Sequence, residues 1–327
     1  MISRREILAY LALAPGIGWA QPATGIYRIG TLSGGSSPKA KDARFWPFFF
    51  EGMRKLGYEE GRNVTYVMRY AEGVPARFPE LARELLSTRV QLIVLTGATE
   101  AVAAGRATTV IPIVGIHVGD PVELGLAESL AHPGRNFTGS TLTIPGFSAK
   151  ALELLLETLP AVRRVCVLAN PTQVNYADQR KELERVAAAK GVTLLPTSGA
   201  ARPEELGPAL DRIEKDKPHA LIVLAHALFL LFRDHVIAFA ARTNVPTMYG
   251  WREDAEAGGL MAYAVETRVL FERAPVFIDK ILKGTKPGDI PIEQPTRFGL
   301  WLNLKTARAL GVQFPRAVLT RAEQVFE

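Results

Sequence analysis

Strand-like apolar runs alternate with amphipathic helical patterns along almost the whole chain. The first part holds four such runs, at residues 27–32, 64–70, 91–95 and 111–116. The run at 91–95 is apolar at nearly every position, which is typical of a parallel strand covered on both faces. Between the runs, one face of residues 77–86 carries Leu81, Leu85 and Leu86, as an amphipathic helix does. This βαβαβαβ order predicts a parallel sheet with helices on both faces.

The same order restarts after an interruption at residues 132–139, whose Pro133, Gly134 and Gly139 predict a crossover between two units. The second unit has strand-like runs at residues 164–169, 192–195, 220–224, 245–249 and 260–263. Helical patterns separate these runs, and a long one follows at 267–282. We therefore predict an α/β fold of two Rossmann-like, doubly wound parallel-sheet lobes joined by a multi-strand hinge. The predicted lobes comprise residues 25–138 plus 264–288, and residues 139–263 plus 289–327.

Residues 1–20 have the composition of a cleavable signal peptide. Arg4 and Arg5 form a short basic start, an apolar stretch follows, and Gly18 and Ala20 place small residues where a signal peptidase acts. The apolar stretch is too short to span a bilayer. The two arginines also fit a twin-arginine signal, so export before folding and export after folding both stay open. We expect a secreted, periplasmic protein.

Composition narrows the function classes. The 327 residues carry a net charge of +6, spread thinly and without basic clusters, so nucleic-acid binding is not expected. Cys166 is the only cysteine, which excludes an internal disulfide, and its position in a strand favours a core role. Motifs of hydrolases, metalloproteases and nucleotide-binding loops are missing, and the five histidines lack metal-site spacing. We predict no catalytic residue, no metal and no cofactor.

Candidate ligand-binding residues lie in the loops that follow the predicted strands, where open parallel sheets bind ligands. These loops are rich in groups that hydrogen-bond to a small polar ligand or stack on it. In the first unit the candidates are Ser33, Gly34, Gly97, Thr99, Glu100, His117 and Asp120. In the second unit they are Asn170, Asn175, Tyr176, His226, Trp251 and Tyr263.

Most of these candidates also have a purely structural interpretation. Gly34 suits a tight turn, and Asp120, which precedes a proline, suits a helix N-cap. Glu100 in a first helical turn favours the helix dipole, and His226 can be satisfied within its own loop. Packing between the lobes is the alternative for two aromatic candidates, Trp251 and Tyr263. The sequence alone leaves both interpretations open.

Several blocks of the chain resemble the ABC transporter substrate-binding family that includes tryptophan- and tyrosine-type receptors. The most specific blocks are near the C-terminus, at residues 291–298, 303–311 and 319–327. Further matching blocks are residues 57–64, 119–122, 133–139 and 281–291. The likeness covers essentially all of the chain after the signal peptide. It implies a type I periplasmic binding protein fold with a ligand cleft between the lobes, in a family whose characterised members take aromatic amino acids.

Two positions depart from what the resemblance implies. The family pattern has a small or hydroxyl-bearing segment at residues 97–100, where a ligand carboxylate can meet backbone N–H groups, but here the segment ends in Glu100. After the strand at 221–224, relatives commonly carry an acidic residue suited to an ammonium group, whereas Ala225 and His226 follow here. The resemblance therefore implies the transport role and leaves the ligand open.

The sequence predicts a non-enzymatic solute-binding receptor of an ABC importer. Its lobes are expected to close by a hinge over a small polar ligand, such as an amino acid or a related metabolite. The predicted partners are that ligand and a permease in the inner membrane, and we expect a monomer. A ligand sensor for a signalling receptor is an alternative that the sequence does not separate from import. A secreted α/β enzyme would need a nucleophile–base pair, which the sequence does not show.

Overall fold

The computed structural model describes residues 25–35, 44–72, 74–142, 144–173 and 175–327, so the predicted signal peptide lies outside the described residues. The strands are β1 (Tyr27–Ser33), β2 (Val64–Tyr70), β3 (Leu92–Thr96), β4 (Ile113–Val118), β5 (Phe137–Thr141), β6 (Arg164–Ala169), β7 (Thr193–Leu194), β8 (Ser198–Gly199), β9 (Ala220–Val223), β10 (Thr247–Tyr249), β11 (Met261–Val265), β12 (Phe298–Asn303) and β13 (Gln324–Phe326). The helices are α1 (Trp46–Lys55), α2 (Phe78–Ser87), α3 (Ala98–Ala107), α4 (Phe147–Thr158), α5 (Tyr176–Ala189), α6 (Pro203–Asp216), α7 (Ala227–Leu231), α8 (Arg233–Thr243), α9 (Arg252–Glu256), α10 (Thr267–Leu282), α11 (Leu304–Ala309) and α12 (Arg316–Thr320).

These strands form two sheets, one in each lobe. The first sheet has the order β2-β1-β3-β4-β5, and all of its pairs are parallel. The second has the order β13-β12-β11-β10-β9-β6-β7, with β8 also beside β6, and its β11–β12 pair is antiparallel. The prediction of two Rossmann-like, doubly wound lobes is confirmed, with the antiparallel β12 as an addition next to the edge strand β13.

Each sheet is covered on both faces by a buried apolar cluster, as β3 illustrates. Leu92 and Val94 join the cluster beneath α1 and α10, while Ile93 and Leu95 join the cluster beneath α2 and α3. All four side chains are fully buried. Since successive side chains of a strand point to opposite faces, an uninterrupted apolar run is what such a strand requires. The same division holds in the second lobe.

The predicted crossover at 132–139 is wrong at its end, because Phe137–Thr141 forms β5. Gly139 pairs with Gly115 of β4, and a Cβ built on Gly139 would lie 2.0 Å from the Gly115 carbonyl oxygen. Gly139, which contributed to the predicted crossover, therefore permits a close backbone approach within the sheet. Because β5 spans the predicted 138/139 lobe boundary, we propose to set that boundary after Thr141.

The chain passes between the lobes after β5, again before α10, and finally between Ile292 and β12. Helix α10 packs on α1 and β4 of the first lobe, and Ile292 is buried in a first-lobe cluster. The first and last crossings are hydrogen-bonded, since the N–H of Glu293 donates to the Gly139 carbonyl at 2.9 Å. Among the described residues, none of the helices combines the length and the hydropathy that a membrane crossing requires.

Candidate functional site

The order of strands marks one special position in each sheet. In the first sheet, β1 lies between β2 and β3, so the chain winds away from β1 in both directions. In the second sheet, the same reversal occurs between β6 and β9. Loops that leave neighbouring strands in opposite directions open a crevice at the carboxyl ends of those strands, and open α/β sheets bind ligands there. These two switch points are the candidate site.

At the first switch point, the carboxylate of Glu100 lies between the ends of β1 and β3. A Cβ added to Gly34 would lie 3.0 Å from one carboxylate oxygen, and a Cβ added to Gly97 would lie 2.9 Å from the other. Gly97 also has φ +88°, a conformation that glycine adopts without strain. Both glycines therefore make room for this side chain. Ser33, at the end of β1, is buried beside them.

The environment of Glu100 favours its protonated form. The residue is 8% exposed, and burial raises the pKa of its carboxyl from 4.5 to about 7. Hydrogen bonding from its own backbone N–H and from that of Gly34 opposes this shift and lowers the pKa. The carboxylate thus occupies the first turn of α3, where backbone N–H groups favour an anion.

At the second switch point, Asn170 and His226 join the ends of β6 and β9. Asn170 Nδ2 lies 3.0 Å from His226 Nε2. The amide oxygen of Asn170 accepts from the backbone N–H of Thr172 at 2.9 Å and from its hydroxyl at 2.8 Å. Asn170 is 7% exposed, so the loop holds its amide in one orientation.

His226 links this pair to the next two loops. Its Nδ1 accepts from the backbone N–H of Leu228 at 3.2 Å, which caps α7. Its carbonyl accepts from the indole N–H of Trp251, the residue before α9, at 3.4 Å. Burial lowers the pKa of His226, which favours the neutral imidazole. Asn170, His226 and Trp251 therefore form one hydrogen-bonded wall.

Two further candidates, Asn175 and Tyr176, lie where α5 begins. The side-chain oxygen of Asn175 accepts from the amide of Gln173 at 2.8 Å, while Asn175 makes no side-chain cap to the helix. Tyr176 packs against a second-lobe apolar cluster and stays partly exposed. Both residues follow β6, so they extend the wall formed by Asn170.

The carboxyl edges of the two sheets face each other. Arg44, in the loop between β1 and α1, makes an ion pair with Glu256 of α9, and its Nε lies 3.9 Å from a Glu253 oxygen. On the β4 side, the charge of Asp178 in α5 contributes to raising the pKa of Glu123, after burial and Asp120. The first-lobe and second-lobe walls are therefore opposite sides of one cleft.

Four candidates, Thr99, His117, Asp120 and Tyr263, lie outside the two walls or make other contacts. Thr99 is exposed on the first turn of α3. His117 has φ +45°, its ring packs 5.9 Å from the ring of Phe271, and burial lowers its pKa to about 4. Asp120 accepts from two backbone N–H groups in its own turn, at 2.8 and 3.2 Å, but no helix follows it, so the turn and not a helix is capped.

Tyr263 belongs to an aromatic group near the crossing segments. Its ring stacks on that of Phe147 at 4.8 Å between centroids, and Phe298 lies beside both. A cavity of about 350 Å³ adjoins this group, lined also by Glu266 and Arg297. All three rings belong to second-lobe elements, so Tyr263 packs within the second lobe and not between the lobes.

Sequence analysis missed Arg44 and its partners Glu253 and Glu256. No local pattern marks them, because the contact joins residues more than 200 positions apart. Within the described ranges, no group of three or more His, Cys, Asp or Glu residues is placed to hold a metal ion. Cys166 is buried in β6, and burial raises the pKa of its thiol to about 11, which makes it a poor nucleophile.

Two doubly wound lobes with opposed switch points define a class, the two-lobed α/β proteins that bind ligands in the cleft between their lobes. A family model described as ABC transporter substrate binding protein matches residues 46–326, and the chain belongs to this family. The chain is 26% identical over 267 residues to the tyrosine-binding protein of Clostridioides difficile strain R20291, which covers 81% of this chain and 76% of that protein. The predicted class, a solute-binding receptor, is confirmed.

Solved structures agree with this assignment. A conserved domain protein from Vibrio cholerae is 26% identical with a TM-score of 0.83, over 91% of this chain and 99% of that chain. An ABC domain from Streptococcus pneumoniae in complex with L-Trp has a TM-score of 0.84 at 23% identity, over 92% of this chain and 100% of that chain. At 23% identity, the likeness to the Streptococcus pneumoniae domain shows the fold alone.

Proposed function

We propose that this protein is the periplasmic receptor of an ABC importer, which captures a small polar ligand between its lobes and delivers it unchanged to an inner-membrane permease. The observation that carries the proposal is the placement of the two switch points opposite each other, with Arg44 of one lobe paired to Glu256 of the other. A ligand held by both walls would favour the closed form, which is the form a permease would recognise.

The residues we assign to ligand contact come from both walls. They are Ser33, Gly34, Gly97 and Glu100 in the first lobe, and Asn170, Asn175, Tyr176, His226 and Trp251 in the second. Amide, imidazole and carboxyl groups would hydrogen-bond to polar atoms of the ligand, and the two aromatic rings would supply apolar surface. The tyrosine-binding relative and the neighbour in complex with L-Trp support a ligand of the size of an amino acid.

Export of the chain is part of the proposal. Family members of this type act outside the cytoplasm, and residues 1–20 have the order of a signal peptide. Fractionation of cells expressing the full chain should place the cleaved protein in the periplasm. Replacing Arg4 and Arg5 by lysine should stop export only if the signal is of the twin-arginine type.

A thermal-shift screen of the refolded, ligand-free protein tests the receptor function. A ligand at about 100 times its Kd stabilises the folded state by roughly 2.7 kcal/mol, which raises Tm by a few degrees. Asn170→Ala and His226→Ala should remove most of the shift, whereas His235→Ala, an exposed histidine of the same lobe, should not. Mass spectrometry of the recovered ligand should show no chemical change, and turnover of any compound would contradict the proposal.

A further inference from the structure

The first-lobe wall holds a buried, ionisable carboxyl group at its switch point. Glu100 is more than nine-tenths buried, and both of its carboxylate oxygens lie against the glycine backbone at the ends of β1 and β3. The N–H groups that could bind a ligand anion at the start of α3 therefore already face a carboxylate of the protein itself. A ligand carboxylate at this point would compete with Glu100 for these N–H groups, whereas a cation would favour the ionised form of Glu100.

The rim of the cleft beside β4 is acidic on both lobes. Glu123 and Asp120 follow β4, and Asp178 lies in the first turn of α5 across the cleft. The three carboxylates are close enough for Asp120 and Asp178 to raise the pKa of Glu123. Asp178 also pairs with Lys181 in its own helix at 3.4 Å, so these four side chains together carry a net negative charge, which a further cation would relieve.

The side chains that form the second-lobe wall are uncharged. Asn170 is neutral, and burial lowers the pKa of His226, which favours the uncharged ring. Arg44, which lies at the mouth of the cleft, is engaged by Glu253 and Glu256. The described cleft therefore combines an acidic rim with a buried carboxyl, Glu100, that a cation would hold in its ionised form.

Resting on the proposed receptor function, we propose that the ligand is an organic amine whose cationic nitrogen lies against Glu100. Its acceptor atoms, where present, face Asn170, whose amide has a second N–H to donate. A free carboxylate is not accepted at the first-lobe wall. The buried acidic group thus selects a ligand by charge, since a cation favours the ionised carboxylate, whereas a ligand carboxylate would compete with Glu100 for its backbone N–H partners.

The test compares ligands that share a ring and differ in charge. Tyramine carries only the amine, 3-(4-hydroxyphenyl)propionate only the carboxylate, and L-tyrosine both; the indole counterparts tryptamine, 3-indolepropionate and L-tryptophan form a second set. Isothermal titration of the ligand-free protein should show the amine of a set binding at least about tenfold more tightly than the acid of that set. Glu100→Gln, which keeps the shape and removes the charge, should weaken amine binding by about tenfold or more and leave the acid unchanged or tighter.

Glu153→Gln is the matched control, since it makes the same charge change on a partly exposed face of α4. It should leave all six affinities unchanged. Acids that bind as tightly as amines, amines insensitive to Glu100→Gln, or no binding by either amine would each overturn the inference. Identification of the ligand that copurifies with the untreated protein separates this failure from that of the receptor function. A copurified acid without an amine overturns the inference alone, and a compound turned over by the protein overturns the receptor function.

Discussion

Asn170 Nδ2 lies 3.0 Å from His226 Nε2, and this contact joins the two strands at which the second sheet reverses its winding. The amide cannot be turned over, because its oxygen accepts from the N–H of Thr172. The other ring nitrogen of His226 faces the N–H of Leu228 at 3.2 Å. A neutral imidazole carries one N–H, so its two nitrogens cannot both accept. With a neutral ring, one of the two contacts is therefore unfavourable.

A carboxylate in place of the Asn170 amide should resolve this conflict. In Asn170→Asp, the second oxygen would accept from a protonated Nε2, and the negative charge would favour the imidazolium. We expect the pKa of His226 to rise relative to the wild type. Nitrogen-15 NMR titration of the ring measures it, with His226→Gln to assign the signal. Asn175→Asp adds the same charge without this contact and should shift the pKa less; equal shifts would contradict the prediction.

The strands and helices were largely predictable from the sequence, because a short, uninterrupted apolar run such as 91–95 is typical of a buried parallel strand. The site was predictable only as a set of loops. Glu100 was recognised as a candidate, but its contact with Gly34 depends on the pairing of β1 with β3, which no local pattern states. Gly139 was assigned to the crossover between the two units, since a glycine in an irregular connection and a glycine at a close strand contact have the same local signal.

Arg44 should bias the ligand-free protein towards the closed form. Its ion pairs with Glu253 and Glu256 join the lobes. Because both Arg44 and Glu256 are about two-fifths exposed, the free energy of this interaction is limited to about 1 kcal/mol and is screened by salt. Arg44→Ala should enlarge the radius of gyration measured by small-angle X-ray scattering at low salt. High salt should remove the difference between wild type and variant.

Arg54→Ala provides the comparison for Arg44→Ala. Arg54 pairs with Glu51 within the same helix, at 3.1 Å and with similar exposure of its acid, so its loss changes the charge without touching the lobe contact. It should leave the radius of gyration unchanged. A similar expansion in both variants would mean that net charge and not the Arg44 contact holds the lobes together.

Glu100 should make the protein less stable as the pH rises towards neutral. Its pKa is raised from 4.5 to about 7 in the folded state, so between these values the folded protein keeps a proton that the unfolded chain has lost. The stability that it contributes is complete below pH 4.5 and is lost as the pH rises through 7, by about 3 kcal/mol. The free energy of unfolding of Glu100→Gln, relative to that of the wild type, should therefore rise by about 3 kcal/mol between pH 4.5 and 7.

Urea unfolding at several pH values measures that difference, and subtracting the wild type removes the contribution of every other group. His117 has the opposite effect on the pH dependence of stability. Its pKa is lowered to about 4, so the stability that its neutral ring contributes to the folded protein is lost as the pH falls below 6.5. His117→Asn, which suits the left-handed backbone at φ +45°, should therefore gain relative to the wild type as the pH falls. If the stability of both variants relative to the wild type changed in the same direction with pH, the opposite pKa shifts assigned to Glu100 and His117 would be contradicted.

Gly139 should be the glycine whose replacement costs most at the lobe connection. A Cβ there would lie 2.0 Å from the Gly115 carbonyl oxygen, and φ is +133°, so Gly139→Ala forces β4 and β5 apart next to the segment that leads into the second lobe. We expect a loss of about 3 kcal/mol or more in the free energy of unfolding. Gly57→Ala isolates the backbone effect, since φ is +87° and no atom lies within 4 Å of its Cβ; it should cost only about 1–2 kcal/mol. Urea denaturation of both variants measures the two losses of stability. Equal losses would mean that the backbone of β4 shifts to accommodate a methyl group. The Gly115–Gly139 contact would then not set the spacing of these strands.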